Sequence, residues 1–340
     1  MSKTILIFDM DGVLLKPRGY HRALQDTVRF GAQEMGYEGV EISDTEIAQF
    51  EGLGISSEWH SSAACMSVLM INGSLSLEPL FTLLKGEPAQ IPARIRLERA
   101  IQKMSKDAHV HEFVQESETF HSSTFRIFQE LILGSADFER IYGEKSSLDI
   151  ESYLLRFDKP LLGTDVRKRL FAWLEDPEHG CAIMTNRPSR QMPDAEYGRR
   201  LVGLGELSLV GNNDIEWLAK EVGEETSALL KPAPTHALAA AFTSLGKPVD
   251  ESLLSAYAAT KGSFSEDLSL LKDSQIWVFE DTPAGIISVG KMGDFLIEHG
   301  FSVKINKVGI AETSLKGGYL EVQGAQVFES IDLALRMVLN

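Results

Sequence analysis

At 340 residues the chain is long enough for a substantial core and for two domains of ordinary size. Its 49 acidic against 33 basic residues leave a formal charge of -16, which opposes non-specific contact with nucleic acid or an anionic membrane surface. A local site can reverse that sign, so a small anionic substrate carried with a metal ion stays open.

Thr4 to Phe8 is a short, almost wholly apolar run ended by acid and glycine, as expected of a central strand covered on both faces. The chain enters this strand by Thr4, too early for a secretory signal, and no apolar run is long enough to span a membrane. A cytoplasmic location is the expectation. Cys65 and Cys181 have no metal-site spacing and suit a reducing compartment, and the apolar run around Cys181 predicts a buried thiol.

From about Pro17 to Pro160 the pattern turns helical. Ser43 with Glu46 reads as a capping box. Apolar residues then recur over Ala63 to Ile71, Ile91 to Ile101, Phe125 to Leu133 and Leu148 to Phe157, and Ser146 with Asp149 offers the last of these a start. Glycines and prolines near Gly73, Pro79, Gly86, Pro88 and Pro92 mark irregular connections. The block reads as a helical domain inserted after the first strand.

Beyond a helix over Thr164 to Glu175, strands are expected at Cys181 to Met184, Leu207 to Val210, Ile276 to Phe279 and Ile305 to Ile310. Helical stretches near Asp214 to Val222, Thr235 to Ser244, Pro283 to His299 and Ile331 to Val338 alternate with them, the pattern of a parallel sheet with helices on both faces. Gly246 to Ser274 is too long for a simple connection and reads either as a helical insertion through Glu251 to Ala259 or as a surface excursion.

Four segments at the expected strand ends carry candidate chemistry. Asp9 and Asp11 are two apart, so in extended chain both can address one cleft, while Gly12 permits a tight departure. Taken alone, acids also end strands because they form turns. Thr185, Asn186 and Arg187 offer a hydroxyl, a neutral donor and a cation near the second strand end, or simply a turn. Lys231 before Pro232 can project an ammonium toward phosphate, or face solvent. Glu280 and Asp281 can favour the start of a helix capped by Thr282 and begun by Pro283, or hold a hard divalent cation. Each segment lies at the C-terminal end of an expected parallel strand or at an adjoining helix start, so one crevice can collect all four.

In FDMDGVL at Phe8 to Leu14, TNR at Thr185 to Arg187, KP at Lys231 and Pro232, and FEDTPAG at Phe279 to Gly285, the chain resembles the haloacid dehalogenase-like hydrolases, a superfamily dominated by phosphatases and including sugar-phosphate mutases. The resemblance implies an α/β fold: a Rossmann-like three-layer core with a parallel sheet in the order 3-2-1-4-5, formed by residues 1–16 and 161–340. Residues 17–160 would then be a mainly helical cap inserted after the first strand. It assigns Asp9 as nucleophile and Asp11 as general acid and then base, and places Thr185 and Lys231 on the transferring phosphoryl group. Asp281 would bind Mg2+ with Glu280 as co-ligand, alongside Asp9 and the backbone carbonyl of Asp11. Asn186 and Arg187 are candidate substrate donors. Glu280 replaces a glycine common in the family, as in a subset that contains both phosphatases and phosphomutases.

The four acids would total about -4 if all ionised, which Mg2+ and Lys231 would offset by about +3. An oxygen-only donor set favours Mg2+ over zinc. The expected activity is Mg2+-dependent hydrolysis of a small organic phosphate monoester through an aspartyl-phosphate intermediate. The alternatives are a sugar phosphomutase and a non-catalytic regulatory or structural protein with a retained phosphate pocket. The expected partner is a small phosphorylated metabolite, with neither nucleic acid nor membrane, and either a monomer or a homodimer is compatible. His109, His111 and His121 near Glu112 lack a matching partner set and read as solvated surface, and Arg18, Arg22 and Arg126 are more simply surface or linker residues than substrate contacts.

Overall fold

The structure is a computed structural model that describes residues 3–55, 57–88, 91–264 and 266–339. The chain divides into two compact units, Met1–Lys16 with Asp158–Asn340, and Pro17–Phe157.

The first unit is built on six parallel strands. In chain order its strands are β1 (Thr4–Phe8), β2 (Leu15–Lys16), β3 (Lys159–Pro160), β4 (His179–Met184), β5 (Ser208–Val210), β6 (Ser274–Glu280), β7 (Val303–Ile310) and β8 (Gln326–Phe328). The main sheet runs β5-β4-β1-β6-β7-β8, which contains the expected order and adds β8 as a further edge strand. Only three residues of β8 pair, and two of them are half-buried, so the segment lacks the apolar run that marks a central strand.

Strand alternation divides the core into two layers. Ile5 and Ile7 point into one cluster with Ala182, Met184, Val278 and Phe242. Leu6 and Phe8 point into the other with Ile183, Phe279, Leu170 and Ile331. A strand buried on both faces needs the continuous apolar sequence seen in β1. Burying each such side chain contributes about 1.5–3 kcal/mol. The helices that cover the sheet include Thr164–Trp173, Asp194–Val202, Asn212–Val222, Pro234–Ser244 and Pro283–Glu298. The long stretch before β6 is helical over Val249–Thr260, followed by a 3-10 turn at Glu266–Leu271. Cys181 and Cys65 are both buried free thiols, and burial pushes both pKa values up.

The short strands β2 and β3 pair antiparallel, Leu15 opposite Pro160 and Lys16 opposite Lys159. This pairing places the chain's departure from the first unit beside its return, and it puts residues 158–160 in the first unit.

The second unit consists of helices, among them Arg18–Glu34, Asp44–Gly52, Glu58–Asn72, Ala93–Met104, Ser123–Leu133 and Tyr153–Phe157. The capping box at Ser43 is formed, with Ser43 Oγ accepting from the Glu46 amide and the Glu46 carboxylate accepting from the Ser43 amide. In the core of this unit Ala32 of the first helix packs with Met66 and Leu69 of the third.

The expected helix start at Ser146 and Asp149 is corrected: the last helix begins at Tyr153. The reason is Glu130, whose carboxylate is fully buried. It accepts from the Ser147 amide at 2.8 Å, the Leu148 amide at 3.0 Å and Ser146 Oγ at 2.9 Å, which wraps residues 146–148 around it instead of winding them into a helix. Among the described residues no helix is long and apolar enough to cross a membrane.

Candidate active site

Parallel register brings three of the four sequence segments together. Phe8 lies opposite Ile183 on one side and Phe279 on the other. Asp9 therefore leaves the sheet between Met184–Thr185 and Glu280–Asp281. Its amide donates to the Phe279 carbonyl at 2.9 Å, which keeps the strand pairing intact up to the carboxylate.

Lys231 arrives from the turn before helix Pro234–Ser244, and the Lys231–Pro232 peptide is cis. Two contacts anchor that helix start. His236 Nε2 meets the Val210 carbonyl at 3.1 Å, and Ser288 Oγ donates to the Ala233 carbonyl at 2.6 Å. The lysine ammonium then donates to Asp9 Oδ1 at 2.8 Å, Glu280 Oε1 at 2.7 Å and the Met184 carbonyl at 3.0 Å. Its three donors thus have three acceptors. Burial by itself would lower its pKa, but the charges of Asp9 and Glu280 outweigh burial and push it up.

Glu280 has no exposed surface and also accepts from Thr282 Oγ1 at 3.2 Å. Thr282 caps helix Pro283–Glu298 by accepting from the Gly285 amide. A Cβ on Gly285 would lie 1.9 Å from the Glu280 carboxyl, so glycine is what lets the helix start close over that acid. Gly12 has a similar role. It holds φ at +73°, and a Cβ there would lie 1.9 Å from Asp281 Oδ2, so the turn after Asp11 can pass directly over that carboxylate.

Asp9, Glu280 and Asp281 form a cluster whose candidate ligand oxygens all lie within 4.8 Å of one another. Burial raises the pKa of Asp9, with Lys231 opposing. Burial and then the charge of Asp9 push Glu280 up to about 8 and Asp281 up to about 6. Crowded acids resist ionisation until positive charge arrives, and this donor set of oxygens suits a hard cation such as Mg2+.

The remaining expected residues divide. Thr185 is buried, with its amide bonded to the Val210 carbonyl and its hydroxyl accepting from the Arg187 amide at 3.1 Å. Asn186 is exposed. Asp11 lies outside the acidic cluster and is one-third exposed.

Arg187 departs from the substrate-donor expectation. Its guanidinium is almost wholly buried and is spent on carboxylates of the protein itself. Nε donates to Asp11 at 3.0 and 2.9 Å, and Nη2 bridges Asp11 and Asp158, the latter at 2.7 Å. A planar fork suits such bridging.

Two charged neighbours were not anticipated. Asp158, with 1% of its side chain exposed, holds Arg187. Lys316, on helix Ser314–Val322, is ion-paired with Asp281. Neither has a local sequence signal beyond its charge, because both partners are distant in the chain. A surface cavity of about 570 Å³ runs along β5 past Ser189, Met192 and Leu209 and includes none of the acidic cluster.

No protein-family model matches the chain. No curated protein matches it either. Solved structures do resemble it. One structural-genomics target is 16% identical over 99% of this chain and 98% of its own, with a TM-score of 0.61, a likeness of fold. Phosphatase Tt82 from Thermococcus thioreducens is 16% identical over 93% of this chain and 99% of its own, with a TM-score of 0.48. The HAD-hydrolase YfnB from Bacillus subtilis, described as bound to magnesium, is 10% identical over 99% of each chain, with a TM-score of 0.37. The first of these likenesses and the six-stranded parallel sheet define an α/β, Rossmann-like protein.

Proposed function

We propose that the chain is a haloacid dehalogenase-like phosphatase that hydrolyses a small organic phosphate monoester with the help of Mg2+. The observation that carries this reading is Asp9, a carboxylate at the end of the central strand, set between a buried ammonium and two further acids. A structural ion pair has no need of the additional crowded carboxylates, which raise the electrostatic cost of the site.

Asp9, Glu280 and Asp281 would hold the Mg2+, which when bound supplies positive charge to the phosphoryl oxygens. Asp9 attacks phosphorus, and the bond to the ester oxygen breaks as Asp11 protonates the leaving alcohol. Asp11 then takes a proton from water, the water oxygen attacks phosphorus, and the bond to Asp9 breaks to release inorganic phosphate. Acid-base assistance of this kind is typically worth roughly 10² to 10⁴-fold. Since Arg187 engages both oxygens of Asp11, proton donation requires Asp11 to leave that pair. Lys231 balances charge on Asp9, and Thr185, which follows the neighbouring strand β4, would offer a neutral hydroxyl to the phosphoryl group. The helical unit, residues 17–157, would act as the cap that selects the substrate.

Phosphate release from a panel of phosphate monoesters with Mg2+ tests the reading, with Asp9→Asn as control. Release by the wild type and loss in the variant are expected. Isomerised sugar phosphate without phosphate release would replace hydrolysis by mutase chemistry, and no turnover of any ester would overturn the catalytic reading.

A further inference from the structure

The two lysines at the acidic cluster differ in kind. Lys231 is buried, with 4% of its side chain exposed, and is pinned by three acceptors. Lys316 keeps 42% of its side chain in solvent and reaches the cluster through Asp281 Oδ2. Strand register delivers it there: Glu280 of β6 lies opposite Gly309 of β7, so the turn leaving β7 runs alongside Asp281. Thr313 then caps the next helix by accepting from the Lys316 amide, which sets the lysine in the first turn. The oxygen that it holds is the one over which Gly12 passes, on the side of the Asp9–Gly12 turn.

We infer that Lys316 is a built-in competing cation: it neutralises Asp281 in the metal-free protein, and a divalent ion must displace it, so Lys316 lowers the affinity of the site for metal. The inference rests on reading Asp9, Glu280 and Asp281 as a metal site. An ammonium and a divalent ion cannot share one carboxylate oxygen without strong repulsion, since like charges a few ångströms apart repel and a divalent ion doubles the effect of a single charge. The two lysines differ in how easily they can yield. Withdrawing Lys231 would strand two buried carboxylates. Lys316 has a flexible stem and a side chain that is 42% exposed, and it can swing into water at little cost.

The test is calorimetric titration of Mg2+ into the metal-stripped full chain without substrate, for wild type, Lys316→Met, Lys316→Arg and Asp281→Asn. Lys316→Met should bind Mg2+ roughly tenfold more tightly than wild type, Lys316→Arg should stay near wild type, and Asp281→Asn should lose most binding. Binding by Lys316→Met alone, with none in wild type, is the extreme form of the expected result. Equal or weaker binding by Lys316→Met, with binding by wild type intact, would overturn the competing-cation role and leave the metal site standing. Absence of binding in every protein would overturn the metal-site reading itself, and this inference with it. Because Lys316 lies on a partly exposed helix, its variants should melt within a few degrees of wild type, which a thermal scan checks.

Discussion

Lys231 donates to Asp9 across 2.8 Å while 4% and 9% of the two side chains remain in solvent. Residues 222 positions apart are thereby joined in a charge pair that water does not screen. The pair belongs to the same cluster as Glu280, so its removal has consequences for both stability and chemistry.

Replacing Asp9 by Asn preserves shape and a hydrogen-bond acceptor but removes the attacking carboxylate. Turnover should fall by at least about a thousandfold. Because Lys231 keeps Glu280 and the Met184 carbonyl as acceptors and one crowded acid is removed, the melting temperature should stay within a few degrees despite the lost pair. Near-normal, metal-dependent hydrolysis by the variant would rule out Asp9 as nucleophile.

Lys231→Met leaves Asp9 and Glu280 facing each other without their ammonium. Breaking a buried pair in this way destabilises by about 3–5 kcal/mol. Chemical denaturation at neutral pH should detect this as a shifted midpoint, and a loss under about 1 kcal/mol would contradict the buried ion-pair geometry.

Arg187 and Asp158 should be energetically coupled. A double-mutant cycle with Arg187→Met and Asp158→Asn is expected to give a coupling of about 1–3 kcal/mol, because the two meet at 2.7 Å with 1% of each side chain exposed, Arg187 keeping Asp11 when Asp158 is changed. Additive effects would mean that the bridge contributes no specific stability.

His236 predicts a pH dependence. It is fully buried, and burial followed by the charge of Lys231 lowers its pKa from 6.5 to about 3. Its Nε2–H can donate to Val210, while Nδ1 has no partner among the described residues. The unfolded chain therefore binds the proton first. The contribution is fully present above pH 6.5 and is lost as pH falls from 6.5 toward 3, at up to about 1.4 kcal/mol per pH unit. Unfolding of wild type and His236→Gln at pH 7.5, 6.5 and 5.5 should give a steeper loss for wild type. Parallel curves would exclude this histidine as the cause.

Chelation should abolish hydrolysis, and Mg2+ should restore it better than Ca2+, which prefers longer bonds and more ligands than a compact three-carboxylate set provides. Full activity after exhaustive chelation would remove the cation from the mechanism.

Much of the fold was legible because its signals are local. The unbroken apolar run of Thr4–Phe8, acids directly after it and a capped helix start after β6 are properties of a few adjacent residues. They located the central strand, its neighbours and the segments of the candidate site. The weakly apolar β8 carries no local strand signal, because its strand character depends on pairing with β7.

Sequence by itself determined which residue types stand at the strand ends, and hence that Asp9, Glu280, Asp281 and Lys231 could share a charge problem. Tertiary structure alone decided how that problem is divided. Lys231 is committed to Asp9 and Glu280, Lys316 to Asp281, and Arg187 to Asp11 and Asp158. The reason is physical: charge pairing depends on distance and desolvation, and neither exists along the chain until strand register and helix packing bring remote residues to one place.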